Sequence, residues 1–142
     1  MCANYHPVTA QDRLLQFFGV DRPVGAVPPE LYPVQLGPFI LRREDRVEVE
    51  RQIELGLFGL VPHWAKDIAF GRRTYNARSE TVADKPSFRN AFKRRRCLVP
   101  VTGFYEWQKG EGKTKTPMYI HLKDQELFAL AVEPNGGVLV GH

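Results

Sequence analysis

The sequence has little cysteine and no long hydrophobic run. Two cysteines among 142 residues, Cys2 and Cys97, are too few for a disulfide framework or a four-cysteine zinc site. No apolar run approaches the ~20 residues that a membrane-spanning helix needs. The N-terminus, MCANYHPV, lacks the basic-then-apolar order of a secretory signal. These absences favour a cytoplasmic protein with reduced thiols and no membrane partner.

The composition is that of an ordinary folded protein. Hydrophobic residues make up 43% of the chain and charged residues 25%, which is not typical of a disordered segment. A chain of 142 residues is expected to form a single domain over 1–142. At this size a chain buries roughly two-thirds of its unfolded surface, so a hydrophobic core needs no crosslinks.

Positive charge is concentrated in one segment, residues 72–96. It holds nine of the 20 Lys and Arg residues but only two of the 16 acidic residues, whereas the rest of the chain is slightly acidic. Either an anionic partner such as nucleic acid docks here, or the arginines pair with acidic residues elsewhere on a solvated surface. Charge alone leaves both readings open. The basic residues are Arg72, Arg73, Arg78, Lys85, Arg89, Lys93, Arg94, Arg95 and Arg96.

Hydrophobic periodicity predicts an α+β, β-rich fold with several strands and short helices. A helix is expected over 9–18 with Thr9 as its N-cap, and helical pieces over 79–93 with Pro86 in a first turn. Residues 21–38 contain five prolines and two glycines, which indicates an extended loop. Strands are predicted over 47–57, 97–101, 104–107, 118–122, 127–132 and 138–140.

Cys2 is the first candidate for chemistry. Removal of Met1 would leave an α-amine and a thiol on adjacent carbons. Such a 1,2-aminothiol reacts with an aldehyde in two steps, first to a Schiff base and then to a five-membered thiazolidine ring. The alternative is that Cys2 is simply the second residue of a frayed terminus, and position alone favours that alternative.

Three further polar residues stand in suggestive surroundings. Asn76 is suited to hold an amine or a substrate oxygen, or else caps a following helix. Arg78 is suited to clamp a phosphate. Glu106 lies between Tyr105 and Trp107, so it is expected to be partly desolvated, which suits a general acid; strand alternation equally permits an outward-facing residue.

The remaining candidates are aromatic or sulfur-containing. Trp64 and Trp107 are suited to stack on an unpaired base, although a core or loop anchor is the commoner use. The four histidines have no metal-ligand spacing, so we expect neither a metal nor a cofactor. Cys97 begins an apolar strand and is expected to be a buried small hydrophobic residue.

Four segments resemble the SOS response-associated peptidase (SRAP) family. Cys2 directly after Met1 matches the start of that family. FGLVPHWAKD at 58–67 is similar to its WGLIPxWAKD element, and NARSET at 76–81 matches its NARxET. KPSFRNAFKRRRCLVPVTGFYEW at 85–107 matches its longest block almost throughout. The resemblance runs from residue 2 to about residue 133.

The resemblance implies an open barrel-like sheet with short flanking helices. It also implies a protein that shields abasic sites in single-stranded DNA during the DNA damage (SOS) response. Cys2 would form a thiazolidine DNA–protein crosslink with the ring-opened sugar, Asn76 would orient the amine and the sugar, and Glu106 would be the acid/base. The name "peptidase" refers to a proposed self-cleavage that exposes Cys2, a hydrolase activity. We expect a monomer associated with the nucleoid. The DNA-binding residues would be Arg72, Arg73, Arg78, Trp64 and Trp107.

The chain also departs from the family pattern. The usual CGR start is Cys2-Ala3-Asn4 here, and Phe58 replaces a tryptophan. The family's TTxAN segment and its HxRMP motif, whose histidine is expected to help open the sugar and reverse the crosslink, are absent. We therefore expect a domain without its C-terminal portion. Two alternatives stay open: a non-covalent single-stranded DNA-binding remnant, and a thiol peptidase acting on protein.

Overall fold

In the part of the chain that the structure describes, one antiparallel sheet and three short helices make up the fold. The computed structural model describes residues 4–43 and 50–132 of the chain. No helix in these ranges is long and apolar enough to cross a membrane. The strands are β1 (Asn4–Pro7), β2 (Leu36–Arg43), β3 (Glu50–Leu57), β4 (Cys97–Lys109), β5 (Lys115–Ile120) and β6 (Phe128–Val132). The helices are α1 (Gln11–Phe18), a 3₁₀ helix (Ile68–Arg73) and α2 (Arg89–Arg94).

Strand β4 is the centre of the sheet because it pairs with four other strands. Near Cys97 it pairs with β2 and with β6, and from Val101 onward it pairs with β1 and β5. Since a strand has only two edges, β1 and β2 share one edge and β5 and β6 share the other. Strand β3 pairs only with β2 among the described strands, so the sheet is open. The predicted α+β, β-rich open sheet is confirmed.

A β-bulge divides β4 into two halves. His6 pairs with Gly103 but Pro7 pairs with Val101, so Thr102 is an extra residue on β4. The bulge shifts the alternation, and Val101 and Phe104 consequently contribute to one core cluster. The sequence pattern predicts two strands here, 97–101 and 104–107. That prediction is wrong in number, because the chain bends through the bulge without leaving the sheet.

The two faces of the sheet are covered differently. Helix α1 packs its buried Leu14 and Phe18 against Ile40 and Ile53 of β2 and β3. We call this side the α1 face. The opposite side carries Tyr5, Val101 and Phe104 and faces the segment 58–96, which holds the 3₁₀ helix and α2. A cavity of about 590 Å³ lies between that segment and the sheet, so we call this side the cavity face.

Several predicted boundaries need correction. The N-cap of α1 is Ala10, not Thr9, and it makes no side-chain capping bond. Residues 79–88 form successive turns, and only Arg89–Arg94 are helical, so Pro86 precedes the helix. The β2 strand was not predicted, because its Gly-Pro pair resembles the end of the preceding proline-rich loop. The predictions for 47–49 and 138–140 fall outside the described residues.

Candidate functional site

A close crossing of two backbone segments positions the residues around Asn76. Gly59 has φ +136°, and a Cβ on it would lie 2.5 Å from the carbonyl oxygen of Gly71, so a side chain is excluded. The Leu60 amide donates to the Thr74 carbonyl at 3.1 Å, and the buried Thr74 hydroxyl donates back to the Leu60 carbonyl. The crossing fixes the direction in which the chain leaves Thr74 toward Asn76.

Asn76 contributes to the wall of the cavity. The cavity has a mainly apolar lining from five strands and from the segment 58–96, together with a few polar groups, which is the usual make-up of a small-molecule site. Asn76 is half-buried there, and Ser79 and Arg96 are further polar residues of the wall. The apolar lining includes Tyr5, Phe39, Phe88, Val99 and Leu130.

Glu106 is half-buried on β4, as its aromatic neighbours predict. Alternation from Phe104 places it on the cavity face of the sheet. Asn4, the first described residue, pairs with Tyr105 next to Glu106, and its buried side chain donates to the Glu30 carboxylate. The start of β1 therefore lies beside Glu106. Cys2 itself falls outside the described residues.

The basic segment 72–96 lies on the surface. All nine of its Lys and Arg residues are exposed. Within 4–43 and 50–132, none of the nine forms an ion pair with a carboxylate, so the reading in which they pair with acidic residues elsewhere is not supported. Exposed cations without carboxylate partners are suited to bind a polyanion. Arg78 is exposed between Ala77 and Ser79, two exposed residues of the cavity wall.

Phe70 links two of the predicted DNA-binding residues. The rings of Trp64 and Phe70 meet edge to face, with centroids 5.1 Å apart and planes at 82°. The guanidinium of Arg73 lies 4.8 Å from the centroid of the Phe70 ring, a cation–π contact. Trp64 is 51% exposed, so it presents a free ring surface. Sequence reasoning missed Phe70, although its spacing of three from Arg73 on one helix was a usable signal.

Trp107 lies apart from Trp64. It is 50% exposed, and alternation along β4 puts it on the face opposite to Glu106. Trp64 belongs to the segment that covers the cavity face. The structure therefore brings Trp64, Phe70 and Arg73 together and leaves Trp107 on the other side of the sheet.

Cys97 is a buried wall residue of the cavity. It is 5% exposed, and burial raises the pKa of its thiol to about 12. A thiol in that state is a poor nucleophile at neutral pH. The prediction of a small buried hydrophobic residue is confirmed. In the described ranges, no group of three or more His, Cys, Asp or Glu residues is arranged to hold a metal ion.

Comparison with known proteins identifies the family. The family model described as "SOS response associated peptidase (SRAP)" matches residues 1–132. The chain is 38% identical over 133 residues to abasic site processing protein YoaM of Bacillus subtilis, covering 92% of this chain and 58% of the relative. It is 36% identical over 97 residues to abasic site processing protein HMCES of Gallus gallus, covering 63% of this chain and 29% of the relative.

Solved structures share the fold. An X-ray structure of a protein from Bordetella bronchiseptica matches with a TM-score of 0.76 and 27% identity, covering 92% of this chain and 62% of that one. A structure from Bacteroides thetaiotaomicron matches with a TM-score of 0.71 and 27% identity, covering 92% and 58%. The chain spans about 58% of the length of the Bacillus relative. On sequence and fold together, this chain belongs to the SOS response-associated peptidase (SRAP) family.

Proposed function

We propose that this protein captures abasic sites in single-stranded DNA by forming a covalent bond through Cys2. Family membership and the names of the relatives, which are abasic site processing proteins, support this proposal. The exposed basic segment supports a DNA partner, because its cations have no carboxylate partners in the described part of the chain. We extend the proposal to a monomer acting in the DNA damage (SOS) response at the nucleoid.

The proposed reaction is the condensation of an aldehyde with a 1,2-aminothiol. After Met1 is removed, the α-amine of Cys2 adds to the C1 aldehyde of the ring-opened sugar, giving a carbinolamine. Glu106 donates a proton to the carbinolamine hydroxyl, which leaves as water and gives a Schiff base. The thiolate sulfur then attacks the imine carbon, the nitrogen takes up a proton, and the thiazolidine ring closes.

The register of β1 against β4 is the observation that carries this proposal. Asn4 pairs with Tyr105, whose neighbour Glu106 is half-buried on the cavity face. Cys2 precedes Asn4 by two residues, a reach of at most about 7 Å. Asn76 lies on the wall of the cavity that faces the same side of the sheet. We propose that Asn76 orients the amine and the sugar.

The phosphates of the strand are assigned to the basic surface. We propose that Arg72, Arg73 and Arg78 contact the phosphates and that Trp64 stacks on or wedges between bases. Phe70 supports this arrangement because it holds both Trp64 and Arg73 by ring contacts.

The test is the intact mass of the protein after mixing with a single-stranded oligonucleotide that contains one abasic site. The mass of the free protein first establishes that Met1 is removed. We expect an adduct equal to protein plus DNA minus one water. Cys2→Ala should lose the adduct, whereas Cys97→Ala, the matched cysteine variant, should retain it. An undamaged oligonucleotide should give no adduct. A Cys2→Ala protein that still forms the adduct overturns the proposal.

The second candidate is a non-covalent binding module for single-stranded DNA. The exposed basic segment favours it independently of Cys2. Binding without an adduct, in protein shown to lack Met1, would select this candidate. For a thiol peptidase that used Cys97 as its nucleophile, the buried thiol with its raised pKa is unfavourable.

A further inference from the structure

A cluster of four rings lies on the sheet on the side away from the cavity. We name it the aromatic cluster: His6, Tyr105, Tyr119 and His121. Tyr105 and Tyr119 lie with ring centroids 5.0 Å apart, and His6 lies 5.7 Å and 5.3 Å from them. His121 stacks on Tyr119 at 5.6 Å with planes only 28° apart. Contacts of this kind hold the rings in fixed orientations.

Tyr119 is fixed further by a glycine beneath it. A Cβ built on Gly103 would lie 2.3 Å from Cζ of Tyr119, so the tyrosine ring covers the bare backbone of β4 at this point. A glycine in a strand often marks such a close approach. Tyr119 nevertheless remains 40% exposed, and His121 is also exposed. The cluster is therefore a rigid aromatic surface that is open to solvent.

Strand alternation sorts the β4–β5 hairpin into two chemically different faces. On the face of the aromatic cluster, the cross-strand pairs are Tyr105–Tyr119, Trp107–Pro117 and Lys109–Lys115. On the other face they are Phe104–Ile120, Glu106–Met118 and Gln108–Thr116. The face of the aromatic cluster thus combines rings with two cations, whereas the carboxylate of Glu106 lies on the other face.

The positive charges of Lys109 and Lys115 repel each other across the two strands, and a bound anion would relieve that repulsion. Like charges directly opposite each other on a sheet are destabilising. Both lysines are exposed beyond the half-exposed Trp107, so rings and cations follow one another along the hairpin. A polymer of flat rings joined by phosphates is complementary to that order, because its bases stack on aromatic side chains while its phosphates meet the cations.

We infer that the aromatic cluster and the Lys109–Lys115 pair form a stacking site for unpaired bases of single-stranded DNA. The inference rests on the proposed function only in taking DNA as the polymer. It adds a second contact surface, on the opposite face from Glu106 and the cavity. Bases flanking a captured site would stack on Tyr119 and His121, and phosphates would bind at the two lysines.

The test compares two twelve-unit oligomers of equal charge by fluorescence anisotropy with the full chain. One is oligothymidine, and the other carries a tetrahydrofuran in place of every nucleoside sugar and base, so it has no bases and no aldehyde. Tyr119→Leu and His121→Ala should each weaken binding of oligothymidine about tenfold. Neither should change binding of the base-free oligomer. Met118→Ala, on the same strand and similarly exposed but on the other face, should affect neither.

Each other outcome overturns the inference. Equal loss on both oligomers would mean that the rings do not contact bases, and unchanged binding of oligothymidine would mean that DNA does not use this face. A dimer that Tyr119→Leu dissociates, seen by sedimentation, would assign the surface to a second copy of the chain. His121→Ala removes an exposed ring and guards against a folding defect in Tyr119→Leu. The Cys2-dependent adduct is measured separately, so either proposal can fail while the other stands.

Discussion

The two layers that cover the sheet are attached to it in different ways. On the α1 face, Leu14 and Phe18 share one buried cluster with strand residues Ile40 and Ile53. On the cavity face, the segment 58–96 gathers its own cluster around Leu60 and Phe88, and the cavity of about 590 Å³ separates much of it from the strands. The first layer stabilises the sheet, and the second leaves space beside it for a ligand.

The two layers also differ in whether their charged side chains form ion pairs. Arg13 of α1 forms an ion pair with Glu126. The nine basic residues of the other layer have no such partners within the described residues. The α1 layer is therefore assigned to stability and the segment 58–96 to the capture of an abasic site, and variants matched across the sheet can test this division.

The largest expected effect is on the chemistry of the cavity face. Glu106→Gln removes the proposed proton donor and should slow adduct formation with abasic DNA about a hundredfold or more. Quenched time courses resolved by denaturing gel measure the rate. Glu126→Gln, a carboxylate of the α1 side, should leave it unchanged. Equal slowing by both variants would contradict the division between the faces.

The next prediction compares how much each layer contributes to the free energy of unfolding. Leu14→Ala should lower the free energy of unfolding by about 2–5 kcal/mol, because it opens a cavity in a fully buried site. Leu60→Ala is the same substitution in the other layer, and it should lower the free energy of global unfolding less. Urea unfolding measures both.

Hydrogen exchange gives the second readout for this pair. In Leu60→Ala, amides of residues 58–96 should exchange faster while those of β4 keep their protection, because the segment has its own cluster. Identical exchange patterns in Leu14→Ala and Leu60→Ala would show that the two layers unfold as one unit.

A smaller effect concerns DNA affinity. Arg73→Ala should weaken binding of single-stranded DNA several-fold and reduce the salt dependence of the logarithm of affinity by about one unit. Phe70→Leu keeps every charge but releases Arg73 and Trp64, so affinity should fall with little change in the salt dependence. Arg13→Ala on the α1 side serves as the control. A change in salt dependence there equal to that of Arg73→Ala would refute the assignment.

The smallest expected effect is a loss of folding stability at alkaline pH, caused by ionisation of Cys97 in the cavity wall. The pKa of Cys97 is raised from 9.0 to about 12 in the folded protein. The unfolded chain therefore releases this proton first, and stability should fall as pH rises from about 9 toward 12, by at most ~1.4 kcal/mol per pH unit. Cys97→Ala should flatten that fall relative to the wild type in urea unfolding at pH 8 to 10.5. Parallel curves would mean that the thiol does not contribute.

The fold class was predictable from local patterns, and the exceptions have local causes. The strand predicted over 47–57 and the helical pieces predicted over 79–93 correspond to β3 and α2 within the described residues, with different bounds. The continuity of β4 was not predictable, because the bulge at Thr102 depends on the register against β1, almost a hundred residues away in the chain. Pairing across such a distance leaves no periodic signal in either segment.

The candidate site was predictable as a list of residues but not as an arrangement. Asn76 and Glu106 were proposed from their motifs and local surroundings, and their roles stay predictions. The separation of Trp64 from Trp107 required the sheet, since side-chain direction follows from pairing. Phe70 was overlooked because no helix was predicted over 68–73, and its spacing of three from Arg73 indicates a contact only on a helix. The aromatic cluster draws on three strands, so no single segment could have indicated it.

The position of β4 in the chain also sets the order of events during synthesis. The first strand has its ladder partner at residues 101–105, so that pairing must wait until almost a hundred further residues have been translated. At ~5–20 residues per second this interval lasts on the order of 5–20 s. Throughout it, β1 lacks its β4 partner, although Tyr5 can already form its bridge with Leu31. The removal of Met1 that the proposed reaction requires would thus take place before β1 is paired with β4.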